Sequence, residues 1–121
     1  MSAPHILATG RCLPARVVTN EEISQRVDTS DEWVFSLTGI YERRFCTTET
    51  GVDLAEGAAR RALEQAGIAA EEVGVCLVAT FTPHYATPST ACLLQQRLGL
   101  REDTVCFDLN AACAGFLYGM Q

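Results

Sequence analysis

Apolar residues recur along this chain with different spacings, and each spacing predicts a different element. Between residues 53 and 66, Leu54, Ala55, Ala58, Ala59, Ala62, Leu63 and Ala66 return at three- and four-residue intervals. Glu56, Arg60, Arg61 and Glu64 fall elsewhere on the helical wheel. This predicts an amphipathic helix whose alanine-rich face packs closely, with Asp53 as its cap and Gly67 as its stop. Residues 73–79 form a continuous apolar run, and residues 105–109 a second one. Both are long enough for strands and too short for helices, and a lack of alternation suits buried parallel strands. Residues 40–45 alternate apolar or aromatic with charged side chains, as a half-exposed strand does.

The remaining segments carry start and stop signals. Residues 5–9 read as a short buried strand closed by Gly10 and Pro14. Thr19-Asn20-Glu21-Glu22 opens a short helix running to about Arg26. Thr29 with Glu32 forms a second capping box, ahead of a helix stopped by Gly39. Residues 80–86 read as a loop, after which Thr87 or Ser89 caps a helix with Pro88 at or near its first turn. Leu93, Leu94 and Leu98 face inward there, and Gly99 ends it. The order strand, helix, strand, helix, strand predicts an α/β fold with a largely parallel sheet, as one domain over residues 1–121. Phe116-Leu117-Tyr118 begins an apolar helix one or two turns before Gln121. A stub of that kind is a liability when exposed, so the parent polypeptide is expected to continue beyond Gln121.

Composition narrows the function classes. The formal net charge is −6, which argues against nucleic acid or an anionic membrane as the main partner. No basic leader region and no run of about 18 apolar residues is present, so a cytoplasmic location is expected. Cysteines stand at 12, 46, 76, 92, 106 and 113 with no CxxC pair and no zinc-type spacing. They read as reduced thiols, mostly small core residues, with no metal site.

One of the six has a different setting. Cys113 lies among Ala111, Ala112, Ala114 and Gly115, between a strand and an apolar helix start. A nucleophile at a sharp strand-to-helix turn is exposed, faces the free N–H groups of the helix, and has small neighbours that admit a substrate. Spacing alone leaves an inert core cysteine as the commoner alternative.

The motifs decide between these. Thr29-Ser30-Asp31-Glu32-Trp33, then Thr38-Gly39-Ile40-Tyr41-Glu42-Arg43, then Ala79-Thr80 and Thr87-Pro88-Ser89-Thr90-Ala91-Cys92, then Asp108-Leu109-Asn110-Ala111-Ala112-Cys113-Ala114-Gly115-Phe116 occur in that order. Together they resemble the β-ketoacyl-acyl-carrier-protein synthase III family of the thiolase superfamily, from about Ile6 to Gln121. The resemblance implies a five-layered αβαβα fold of two βαβαβαββ halves, with this chain supplying most of the first half, and a homodimer. It implies that Cys113 takes an acyl group from acyl-CoA, usually acetyl-CoA. Malonyl-acyl-carrier protein then loses CO2, and its carbanion attacks the acyl-enzyme in the condensation that initiates fatty-acid synthesis. Acyl-CoA is a substrate, and no cofactor is implied.

The family's catalytic His and Asn belong to its second half and have no match here. His84 is a lone loop histidine, more often structural or solvated, and His5 is a weaker candidate still. Thr29 and Trp33 match the CoA side of the family's site, but Leu37 stands where the family has an Arg that clamps the CoA adenine with the Trp. Tyr41 replaces a residue often basic. Weaker CoA binding, or a different acyl donor, is the expectation. Thr87 stands where many members carry Phe, on a loop reaching the partner subunit's acyl pocket, so longer or bulkier acyl groups should be tolerated. A related synthase priming a polyketide or other secondary product is therefore the alternative function. A catalytically incompetent fragment, a non-catalytic thiolase-like subunit and a free-standing redox protein are further readings. Cys113 argues against the subunit, and the lack of a resolving Cys against the redox protein.

Overall fold

The structure, a computed structural model, describes residues 5–121. It divides into two compact units, Leu13–Glu49 and a larger one in which Thr50–Gln121 joins the described residues up to Cys12.

In the smaller unit, strand β1 (Arg16–Thr19) runs straight into helix α1 (Asn20–Ser24). The strand was not expected, and it rests on the β-branched pair Val17 and Val18, of which Val18 is buried. Thr19 caps α1 as predicted, its Oγ1 accepting from the Glu22 N–H at 3.2 Å. The helix stops at Ser24, short of Arg26, where the Ser24 hydroxyl turns back to donate to the Glu21 carbonyl. Helix α2 (Asp31–Thr38) follows, ended by Gly39 in the left-handed conformation that the sequence anticipates. Its cap is Ser30 and not Thr29: Ser30 keeps extended backbone and its Oγ accepts from the Trp33 N–H at 3.1 Å. A capping oxygen reaches only two or three residues ahead, so the neighbour of the first helical residue takes the role. Strand β2 (Glu42–Phe45) then pairs antiparallel with β1, Arg16 opposite Phe45.

A buried amide joins these elements. The Asn20 Nδ2 donates to Asp31 Oδ1 at 2.8 Å and to the Ile40 carbonyl at 2.6 Å, and Arg43 donates to its Oδ1. Asn20 is fully buried, and these bonds satisfy both ends of its amide.

In the larger unit, helix α3 (Gly51–Ala66) begins two residues before Asp53, the expected cap. Thr50 is the cap and Asp53 its reciprocal partner: Thr50 Oγ1 accepts from the Asp53 N–H at 3.2 Å, and the Asp53 carboxylate accepts from the Thr50 N–H at 2.8 Å. Residues 5–9 do not form the expected strand, and the Thr9 N–H donates to the Gln65 side chain. Gly10 lies so close to α3 that a Cβ there would sit 2.0 Å from the Ala58 carbonyl oxygen.

Strand β3 (Val75–Ala79), helix α4 (Thr90–Leu98) and strand β4 (Val105–Leu109) form a crossover unit, with Cys76 opposite Cys106 and Ala79 opposite Leu109 in a parallel ladder. Ser89 caps α4, its Oγ accepting from the Cys92 N–H at 3.2 Å, so Pro88 precedes the cap and lies outside the first turn. The core joins Val52 of α3 to Leu94, Leu98 and Leu100. The parallel pairing matches expectation, but full burial does not. Val75, Val105 and Phe107 are exposed: α4 packs on both strands with α3 against it, while helix α5 (Gly115–Gly119) packs on β3. Among the described residues, no helix is long and apolar enough to cross a membrane.

The start of α3 carries a pH-dependent contribution. Arg97, 2.6 Å from Asp53, together with the Thr50 hydroxyl and N–H, holds the Asp53 carboxyl well below the usual carboxylate range. A carboxyl lowered in the folded state stabilises above its unfolded pKa, about 4, and loses that contribution as pH falls further. Asp53 is partly exposed, so solvent screens much of the ion pair and the cap carries most of the effect. Asp53→Asn is expected to lower Tm by about 3 °C at pH 7. The deficit should shrink below about pH 4, which thermal melts across a pH series would read directly.

Candidate active site

The end of β4 shows how Cys113 is presented. After Leu109 the chain leaves the ladder, and the Thr80 N–H donates to the Leu109 carbonyl at 3.0 Å to close the strand pair. Asn110 then accepts from the Ala112 N–H at 3.5 Å, a long bond. Ala112 adopts φ 44°, a left-handed conformation disfavoured for any residue with a Cβ. Alanine is the smallest side chain that bears this strain, and the reversal it makes opens a 3-10 turn, Ala112–Ala114, with Cys113 at its centre and exposed.

The helix after the turn is seated by two glycines. A Cβ at Gly115 would lie 3.1 Å from Ala79 Cβ, and one at Gly119 would lie 3.1 Å from Leu77 Cδ2. Spaced one helical turn apart, they let α5 sit close on β3, so the thiol is fixed at the carboxyl ends of the parallel strands. Phe116, Leu117 and Tyr118 are exposed on the same helix.

A carboxylate holds the opposite side. Asp108 accepts from the Thr90 N–H at 2.7 Å and from the Ala91 N–H at 2.9 Å, binding β4 to the first turn of α4. Local spacing assigns Asp108 no role. The available signal is a charge inside an apolar run, which requires a partner when it leaves water.

The other thiols differ from Cys113. Cys76, Cys92 and Cys106 are half-buried beside the core, and Cys12 is half-buried against Gly57. Burial pushes the Cys76 thiol up to about 11, with the facing Cys106 adding to the shift, and burial also raises Cys106. Cys46 and Cys113 are the exposed cysteines.

The predicted site residues divide between the units. Cys113, Thr87 and His84 belong to the larger one. Thr87 is exposed in the loop before α4, and a cis bond joins it to Pro88. His84 rests edge-on against Tyr85, with ring centroids 4.4 Å apart, and lines a cavity of about 280 Å³ with Thr80, Thr82 and Thr90. Among the described residues no hydrogen bond joins His84 to Cys113. Thr29, Trp33 and Leu37 belong to the smaller unit. Trp33 and Leu37 are 60% and 66% exposed one turn apart on α2, so they form one open apolar strip. The Thr29 hydroxyl oxygen is buried with no hydrogen-bond partner among the described residues, and Thr29 borders a cavity of about 430 Å³ lined also by Ser30, Asp31 and Tyr41. Among the described residues there is no group of three or more His, Cys, Asp or Glu able to hold a metal ion.

The sequence and the backbone both have close counterparts. The β-ketoacyl-[acyl-carrier-protein] synthase III of Alkalilimnicola ehrlichii is 50% identical over 121 residues, covering 99% of this chain and 38% of that protein. The crystal structure of 3-oxoacyl-[acyl-carrier-protein] synthase III from Aquifex aeolicus superposes with a TM-score of 0.90 at 44% identity, over 95% of this chain and 37% of that one. The priming β-ketosynthase of the R1128 polyketide pathway gives a TM-score of 0.90 at 34% identity, over 99% of this chain and 37% of that one. The chain thus spans well under half the length of the relatives it matches. No protein-family model matches it. The likeness covers nearly all of the chain, and its fold is that of the first half of a thiolase-type layered α/β protein.

Proposed function

We propose that this chain, which resembles the β-ketoacyl-acyl-carrier-protein synthase III family throughout its length, carries the nucleophile of a condensing acyltransferase that initiates fatty-acid synthesis. The observation that carries the reading is Cys113, an exposed thiol at a strained strand-to-helix turn, in a chain 50% identical to such a synthase. The Cys113 thiolate attacks the carbonyl carbon of an acyl-CoA. The C–S bond to CoA breaks, CoA leaves as a thiolate that takes a proton from solvent, and the acyl group remains as a thioester on Cys113. Malonyl-acyl-carrier protein then loses CO2, and its α-carbon attacks this thioester. The new C–C bond gives the β-ketoacyl product, and the Cys113 sulfur leaves as a thiolate. Dividing the reaction at a covalent thioester replaces one difficult step by two easier ones. Backbone N–H groups at the turn, including that of Cys113, serve the developing oxyanion.

Both half-reactions are redox-neutral, so the proposal calls for no cofactor beyond acyl-CoA as substrate. The His and Asn that assist decarboxylation come from the remainder of the protein, which works as a cytoplasmic homodimer in this proposal. On the smaller unit, Thr29, Trp33 and Leu37 form the CoA side, and Thr87 borders the acyl pocket across the dimer.

The likeness to the polyketide-priming ketosynthase supports a second reading, in which the acyl group is not acetyl. Leu37 and Thr87 favour it: the first offers CoA no guanidinium, and the second leaves room that a phenylalanine would fill. In the whole protein, Leu37→Arg is expected to lower KM for acyl-CoA about three- to tenfold with kcat little changed. Steady-state kinetics with acetyl-CoA and longer acyl-CoAs test both points. An unchanged KM would remove Leu37 from the CoA side, and faster turnover of acetyl than of every longer donor would remove the second reading.

A further inference from the structure

We propose that Asp108 is a positioning residue: its carboxylate holds the loop of residues 80–89 in register with the strand that carries Cys113, and so sets which acyl groups the thiol accepts. The inference rests on the synthase reading above and extends it to a residue with no contact to the reacting atoms.

The first turn of α4 is satisfied by two different residues. Ser89, the local cap, accepts from the Cys92 N–H, while the Thr90 and Ala91 N–H groups both go to Asp108. A local cap is enough to start a helix, but Thr90 and Ala91 are buried, so their amides need a protein partner. What Asp108 adds is a charge-assisted cross-link between segments far apart in the chain. An aspartate inside an apolar strand is costly unless both oxygens are engaged, and here each oxygen has a backbone partner.

The geometry connects this cross-link to the loop that carries Thr87, the residue proposed for the acyl side. The loop is tied to the strands at its near end, where the Thr80 N–H meets the Leu109 carbonyl and the Thr82 N–H meets the Thr80 hydroxyl. Its far end, which includes Thr87 and Ser89, is held by the Asp108 bonds just beyond. Between loop and strand lies a cavity of about 330 Å³ bordered by Tyr85, Ala86, Phe107, Asp108 and Asn110. Loosening the carboxylate lets the loop move away from β4 and shifts Thr87, the residue that borders the acyl pocket across the dimer in the proposed function. The turn that presents Cys113 remains seated on β3 through Gly115 and Gly119.

Two variants of the whole protein separate positioning from folding. Asp108→Asn keeps the shape but presents an amide whose NH2 opposes one of the two N–H groups. Thr90→Pro removes one donor and keeps the carboxylate. Proline is tolerated at the first helical position, and Ser89, at φ −63° and ψ 155°, already has the backbone that a residue before proline adopts. The measurements are kcat/KM for acetyl-CoA and for hexanoyl-CoA, the rate of Cys113 alkylation by iodoacetamide, and Tm. The expected result is a change of about fivefold or more in the acetyl-to-hexanoyl ratio in each folded variant, with alkylation within about twofold of the parent. A ratio that stays constant in either folded variant, both donors slowing together, overturns the inference and leaves Asp108 a structural residue. If Asp108→Asn does not fold, Thr90→Pro alone decides. If the parent protein is acylated by neither donor, the synthase reading itself fails and this inference falls with it.

Discussion

Replacing Cys113 by alanine is expected to abolish acyl uptake, and replacing it by serine to reduce it at least about 10³-fold. Both expectations follow from where the thiol sits. Its side chain is exposed, and no hydrogen bond from it to other described residues holds the fold together. Either substitution should therefore leave Tm within a degree or two of the parent. Serine occupies nearly the same volume, but its hydroxyl keeps its proton at neutral pH and is a poor nucleophile without a strong base beside it. Stopped-flow acylation with matched thermal melts checks both points. Acyl uptake by the alanine variant at the parent rate would make Cys113 a bystander.

Alkylation with iodoacetamide at pH 8 separates the thiols by more than about a hundredfold. A thiol whose pKa is about 11, as burial makes that of Cys76, is thiolate in only about one molecule in a thousand at this pH. Partial burial also slows the approach of the reagent, and Cys106 is shifted in the same direction. Exposed Cys46 serves as an internal reference, and Cys113 should label with it or faster. Raising the pH towards 10 increases the Cys76 thiolate about tenfold per unit, so its labelling should climb steeply. Peptide mapping of labelled protein gives each rate. Equal labelling of Cys76 and Cys113 at pH 8 would contradict the division into shielded and available thiols.

Local pattern reached some of this molecule and not the rest, for identifiable reasons. The alanine face of α3 was legible because one helix face repeats at fixed intervals, but the helix start was not. The apolar repeat reaches back to Val52, but Thr50 and Asp53 both look like caps when the backbone between them is unknown. Thr29 and Ser30 posed the same ambiguity: adjacent hydroxyls are distinguished by where the chain turns helical. Strand β1 was missed because its apolar content is only Val17 and Val18. The run over residues 5–9 looks equally strand-like, yet β pairing depends on a neighbour that no local pattern supplies.

The candidate site divides along the same line. Cys113 stood out through its small neighbours and the motif around it. The left-handed Ala112 and the seating of Gly115 and Gly119 on β3 explain why those neighbours are small. The bonds from Asp108 to α4 join residues distant in sequence, so periodicity could not reveal them. Trp33 and Leu37 were correctly placed one turn apart on a helix, but their exposure became visible only in three dimensions.

The most direct test is the intact mass of the purified protein after brief exposure to acetyl-CoA and hexanoyl-CoA in separate reactions, followed by mapping of the modified peptide. The account predicts one acyl group per chain, on the peptide containing Cys113, removed by hydroxylamine as a thioester is. No mass gain with either donor, or an acyl group mapped to any other residue, would contradict it.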